Sequence, residues 1–157
     1  MNKRVRCLLF ILLAAGQLFI ARYRAALGIQ VDLLYLILFF VSIRSSFLPS
    51  VVSAAFIGLG TDYLSGGVIG VFSFSRTLAA YFLNTIARFL DLKKNIFVFL
   101  LIFFSLFLAN LVAFVFHVLI FGLKITASLL LFQPLFTAVV GTVILGSEKM
   151  KTLMDVS

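Results

Sequence analysis

The chain has 157 residues, 64% of them hydrophobic and only 11% charged, with a mean hydropathy of +1.26 and a formal net charge of +8. A soluble domain carries about 25% charged residues, so this composition excludes a soluble enzyme, a disordered chain and a small disulfide-stapled secreted fold. What remains is an integral membrane protein, with room for roughly five to seven crossings at ~20 residues each.

The first span is expected at residues 7–21, behind Lys3, Arg4 and Arg6. It reads as a retained span rather than a cleaved signal peptide, because Arg22 and Arg24 stand where small residues would be needed. Cys7 is the single cysteine, so neither an intrachain disulfide nor a thiolate metal site can form. The second span is expected at 29–43, with Asp32 near its start, and the third at 48–63, with Pro49 in the first turn where its missing N–H costs nothing. The fourth covers 67–90, the fifth 95–122 and the sixth 125–146. Hydrocarbon cannot satisfy open backbone groups and no alternating barrel pattern is present, so these spans are expected to be helices of one polytopic domain. The last two form a hairpin closed at Gly122 and Lys124.

The bases gather at span ends, where they meet headgroups and report topology; no nucleic-acid partner is expected. With the N-terminus in the cytoplasm, the inner segments carry Lys3, Arg4, Arg6, Arg44, Arg88, Lys93, Lys94, Lys149 and Lys151, against Arg22, Arg24 and Lys124 outside. That bias predicts that both termini are cytoplasmic. The twenty Phe residues, with no Trp, read as packing and lipid-facing surface.

The densest local signal runs from Gly58 to Gly70 and joins the third and fourth spans on the outer side. Ala54/Gly58 and Gly66/Gly70 are small residues at four-residue spacing, the kind that lets helices approach closely. Asp62 within it is either held out for a partner or an ion, or caps the turn that follows. Arg76 is the second signal. It is expected ~14 Å into the fourth span, where an unpaired charge costs at least ~2.5 kcal/mol and must face the interior. Asp62 is one candidate partner. Counted from the Gly122 turn, Asn110 and Gln133 lie at ~20 Å and ~15 Å, so Arg76, Asn110 and Gln133 are expected to share a buried polar layer. Asp32 is expected at the membrane edge, in an ion pair with Arg22 or Arg24 or against a partner. The Gln133–Pro134 step is expected to kink the sixth span, and His117 to be a hydrogen-bonded imidazole rather than a ligand. No nucleotide, metalloprotease or hydrolase signature occurs, so neither an enzyme nor a cofactor is expected.

The stretch Val31-Asp32-Leu-Leu-Tyr-Leu, followed by Gly60-Thr-Asp62-Tyr-Leu-Ser-Gly66-Gly67-Val-Ile-Gly70, resembles the MreD family of bacterial rod shape-determining membrane proteins. The likeness is carried by about residues 30 to 90. It implies a non-enzymatic component of the cell-elongation complex in the bacterial inner membrane. Such a component binds MreC, acts with MreB, RodA and a penicillin-binding transpeptidase, and supports lateral peptidoglycan synthesis. It further implies a fold similar to the substrate-binding subunits of energy-coupling-factor transporters. It marks Asp62, Gly66, Gly67 and Gly70, with Asp32, as the motif positions. The alternative is such a vitamin-transporter subunit itself. Against it, the only Ala-x-x-x-Ala, Ala21 to Ala25, holds two arginines and falls at the outer end of the first span. A third class, an ion or proton relay through Asp62 and Arg76, needs a polar path that the last two spans hardly provide.

Overall fold

Backbone amides that face hydrocarbon must find acceptors within their own segment, and every regular element among the described residues is a helix. The computed structural model describes residues 11–17, 19, 31–65, 68–90, 92, 94–122 and 127–145. Helix α1 occupies residues 11–17. It is followed by α2 (Leu33–Arg44), α3 (Phe47–Ser65), α4 (Val71–Ile86), α5 (Asn95–Phe121) and α6 (Ala127–Leu145). Two stretches, Phe47–Leu64 in α3 and Asn95–Ile120 in α5, are long and apolar enough to cross a bilayer; α2 and the Leu130–Ile144 part of α6 are apolar but shorter.

Helix α2 is the centre of the bundle. Its sequence is apolar on all sides, the mark of a helix with no solvent face, and it packs against α3, α4, α5 and α6. Tyr35, Leu36, Leu38 and Phe39 are fully buried, and the surrounding helices meet them with Ala54, Ala79, Ala80, Leu83, Ile102, Leu106 and Ala138. The alanines let helix axes come close, which is how packing is gained where lipid is as apolar as the core. Outward-facing Phe56, Phe74, Tyr81, Phe104 and Val143 give the bundle an apolar exterior. Along α5, Phe99, Phe103 and Phe107 stack in steps of 6.3 Å.

Three boundaries differ from the sequence expectation for physical reasons. Helix α4 starts at Val71 rather than 67, because Gly70 takes a left-handed backbone (φ +107°) that stops the helix. It ends at Ile86, where a tightened turn at residues 87–89 closes with the Phe89 N–H donating to the Ile86 carbonyl at 2.9 Å. Helix α2 starts at Leu33 because Asp32 is its N-cap. Pro134 lies inside α6, which continues through it as a single helix. The expected first-span ends, the Lys124 turn and the C-terminal segment lie outside the described residues.

The tightest helix contact is between α3 and α4. A Cβ on Gly58 would fall 2.3 Å from the Ser73 Cα and 2.8 Å from the Phe72 carbonyl oxygen. The Ser73 hydroxyl donates back to the Ala55 carbonyl at 3.0 Å. Gly60, in the same helix, has nothing within 4 Å of the equivalent point. We therefore expect Gly58→Ala to destabilise the protein by at least the ~1–3 kcal/mol of an overpacked core. Gly60→Ala should be neutral or stabilising by up to ~1 kcal/mol. Thermal unfolding of both variants in detergent checks this, and equal midpoints would refute the close approach.

Candidate functional site

The first amides of an α-helix have no acceptor within the helix, and α2 begins in the protein interior. Its start is level with Thr137, ten residues and so ~15 Å along α6 from Ala127. Three side chains resolve the problem. Asp32 accepts the Tyr35 N–H at 3.0 Å, Gln17 accepts the Leu33 N–H at 2.8 Å, and Thr137 Oγ1 accepts the Asp32 N–H at 3.0 Å. All three residues are buried. An ionised N-cap also answers the positive end of the helix dipole.

The second Asp32 oxygen is engaged by Arg76 Nη2 in a buried ion pair. Asp32 is 3% exposed and Arg76 2%. This corrects the expectation that Asp32 lies at the membrane edge beside Arg22 or Arg24, two residues outside the described set. Because α2 starts inside the bundle, its cap is drawn inside with it, and a charge there requires an internal counterion. It also corrects the depth of Arg76, which stands five residues and ~7.5 Å into α4 because that helix starts late. Arg76 thus finds its counter-charge in Asp32, while Asn110 Nδ2 donates to Gln133 Oε1 at 3.3 Å and links α5 to α6.

Sequence reasoning missed Tyr35, Gln17 and Thr137. The Tyr35 hydroxyl is fully buried beside Ser105 and within the field of Arg76 and Asp32. It faces Ser105 without reaching hydrogen-bond geometry, and Arg76 Nη1 is likewise buried without a hydrogen-bond partner. Ser105 donates instead to the Leu101 and Ile102 carbonyls. A buried arginine demands a carboxylate from another apolar segment; the sequence reading named Asp62 for that role, and the structure supplies Asp32 instead.

Asp62 does a different job. One oxygen accepts the Gly70 and Ser73 N–H groups at 2.8 and 3.2 Å, and the other accepts the Phe72 N–H at 2.9 Å. The carboxylate, 1% exposed, thereby caps α4 from the preceding helix and fixes the excursion between them. Of the two readings of this residue, capping is the one the geometry contains. Gly70 supplies the left-handed residue just before the helix, and Gly66 and Gly67 lie outside the described residues. On either side of these two glycines, Tyr63 near the end of α3 (83% exposed) and Ile69 (75%) face outward. His117 is half-buried, its Nδ1 at 2.8 Å from the Ala113 carbonyl and its ring against Phe72.

Both carboxylates are therefore fastened to backbone amides inside the protein, an arrangement suited to holding shape. Removing one partner of a buried pair strands the other charge, at a cost of ~3–5 kcal/mol. We expect that loss for Arg76→Leu, measured as a lowered unfolding midpoint in detergent. Asp32→Asn combined with Arg76→Met keeps a capping side chain without charge and should recover most of it. A double variant no better than the single one would show that the pair is not the source of the loss.

The model of one family, described as rod shape-determining protein MreD, matches residues 2–146. No curated protein and no solved structure gives a significant match. The match takes in α1 to α6, with the Asp32–Arg76 pair and the Asp62-capped turn. The chain belongs to the MreD family of rod shape-determining membrane proteins.

Proposed function

We propose that this protein is a non-catalytic, multi-pass scaffold of the bacterial cell-elongation complex, with both termini in the cytoplasm. In this reading it holds an MreC-like single-span protein in the cytoplasmic membrane. Through that partner it supports MreB, RodA and a penicillin-binding transpeptidase in lateral peptidoglycan synthesis. Family membership supports the shape-determining role, and the bias of Lys and Arg toward one set of segments supports the orientation. The single observation that carries partner binding is the turn between α3 and α4. Asp62 ties the end of α3 to the start of α4 with three backbone hydrogen bonds, and Tyr63 and Ile69 stand outward beside that joint. Preorganised apolar side chains of this kind bind without a large ordering cost.

The reading is tested by affinity recovery of the tagged chain from its native membrane in mild detergent, followed by mass spectrometry. The wild-type chain should bring down a single-span protein with a periplasmic coiled coil. Ile69→Asp combined with Tyr63→Ala changes only outward side chains. That variant should insert and unfold like wild type while losing most of the partner. Undiminished recovery would move the interface elsewhere, and ATPase subunits with a coupling membrane protein in its place would make the chain a transporter subunit.

A further inference from the structure

At the end of the bundle where α2 stops, α3 starts and α4 stops, a groove of about 340 Å³ opens between Phe47, Asn84, Thr85, Arg88 and Phe89. Its floor is rigid. Asn84 Nδ2 donates to both the Ser42 and Ser45 carbonyls at 3.1 Å, and Ser50 is hydrogen-bonded to Ser42 at 2.8 Å. The remaining oxygen of Asn84 accepts from Arg88 Nη2 at 3.1 Å, which sets the exposed guanidinium at the rim. The walls are aromatic: Phe89 is largely exposed, and Phe47 is held edge-on against Tyr81 with centroids 5.7 Å apart.

Among the described residues this end carries Arg44, Arg88 and Lys94, and the two acids, Asp32 and Asp62, are both buried and engaged elsewhere. The described ion pair is that of Arg76 and Asp32, so Arg88 has no carboxylate facing it among these residues. A braced arginine beside aromatic walls at the end of apolar helices suits a ligand with an anionic head and an apolar tail. The geometry points to a binding site for the phosphate headgroup of an anionic phospholipid, with Arg88 holding the phosphate and Phe47 and Phe89 flanking the glycerol and first methylenes. Basic pockets between membrane helices recognise such headgroups by the same combination of charge and fit. The inference goes beyond the partner role proposed above and needs only the membrane setting.

The test uses the purified, delipidated full chain in a neutral detergent. It is titrated with phosphatidylglycerol, phosphatidylcholine or inorganic phosphate, and read by thermal shift and by lipid retained in native mass spectrometry. Phosphatidylglycerol should raise the midpoint and remain bound, while phosphatidylcholine and inorganic phosphate at equal concentration should do neither. Arg88→Gln should weaken phosphatidylglycerol binding about fivefold or more. Lys94→Gln, which removes the same charge at the same end but outside the groove, should leave binding near wild type. Phe89→Ala keeps the charge and removes a wall, and should also weaken binding, so the question stays answerable if Arg88→Gln unfolds. Equal losses in Arg88→Gln and Lys94→Gln would reduce the effect to diffuse surface charge and overturn the site. So would equal binding of phosphatidylcholine, or an inorganic phosphate effect matching that of the lipid.

Discussion

A helix that begins away from water must find acceptors for its first amides, and in this protein that requirement is met twice by an aspartate. Asp32 caps its own helix from inside the bundle, and Asp62, in α3, caps the following helix α4 from across a turn. Everything polar at the centre follows from the first of these. A buried carboxylate needs a cation, which fixes Arg76 and with it the register of α4 against α2. The amide of Asp32 needs an acceptor too, which brings Thr137 of α6 to the same point. Three helices are thus located by the needs of one residue, and α1 joins them where Gln17 accepts the neighbouring Leu33 N–H. Removing a buried ion pair in favour of apolar groups is often no loss in stability, and its value here lies in specifying which helices meet and at what height.

The second aspartate sets the other half of the architecture. With three amides fastened to Asp62, the first turn of α4 lies directly on α3, and Gly58 is the residue that lets the two backbones touch. The hydroxyl of Ser73 completes the seam. At the opposite end the joint is made by amide and hydroxyl groups without charge, as Asn84 ties the α2–α3 turn to α4. The pair α3–α4 is in this way pinned at both ends before any contact with α5 or α6 is counted.

Helical class and membrane setting were legible because they depend on composition and on runs of uncharged residues, both of which the sequence displays directly. The contact of Asn110 with Gln133 was legible for a related reason: the two helices share one short connection, so counting residues from it measures true height. The same counting failed for Arg76, since Gly67 to Ile69 are as apolar as the helix after them and nothing in hydropathy reveals where Gly70 turns left-handed. Asp32 was misplaced because a charge at the end of an apolar run reads the same whether that end is in headgroups or in the core. Thr137 gave no signal at all, and Tyr35 none beyond its place in the family-like stretch, because their roles arise only from what they meet.

The position of α2 bears on the order in which the molecule is made. Twelve residues give a helix of ~18 Å, well short of the ~30 Å of a hydrocarbon core, and it has no face of its own to show to lipid. Its capping aspartate waits 44 residues along the chain for Arg76 and 105 for Thr137. The element at the heart of the bundle is therefore among the first synthesised and the last to be satisfied. The full set of hydrogen bonds at the start of α2 exists only when α6 is in place beside it.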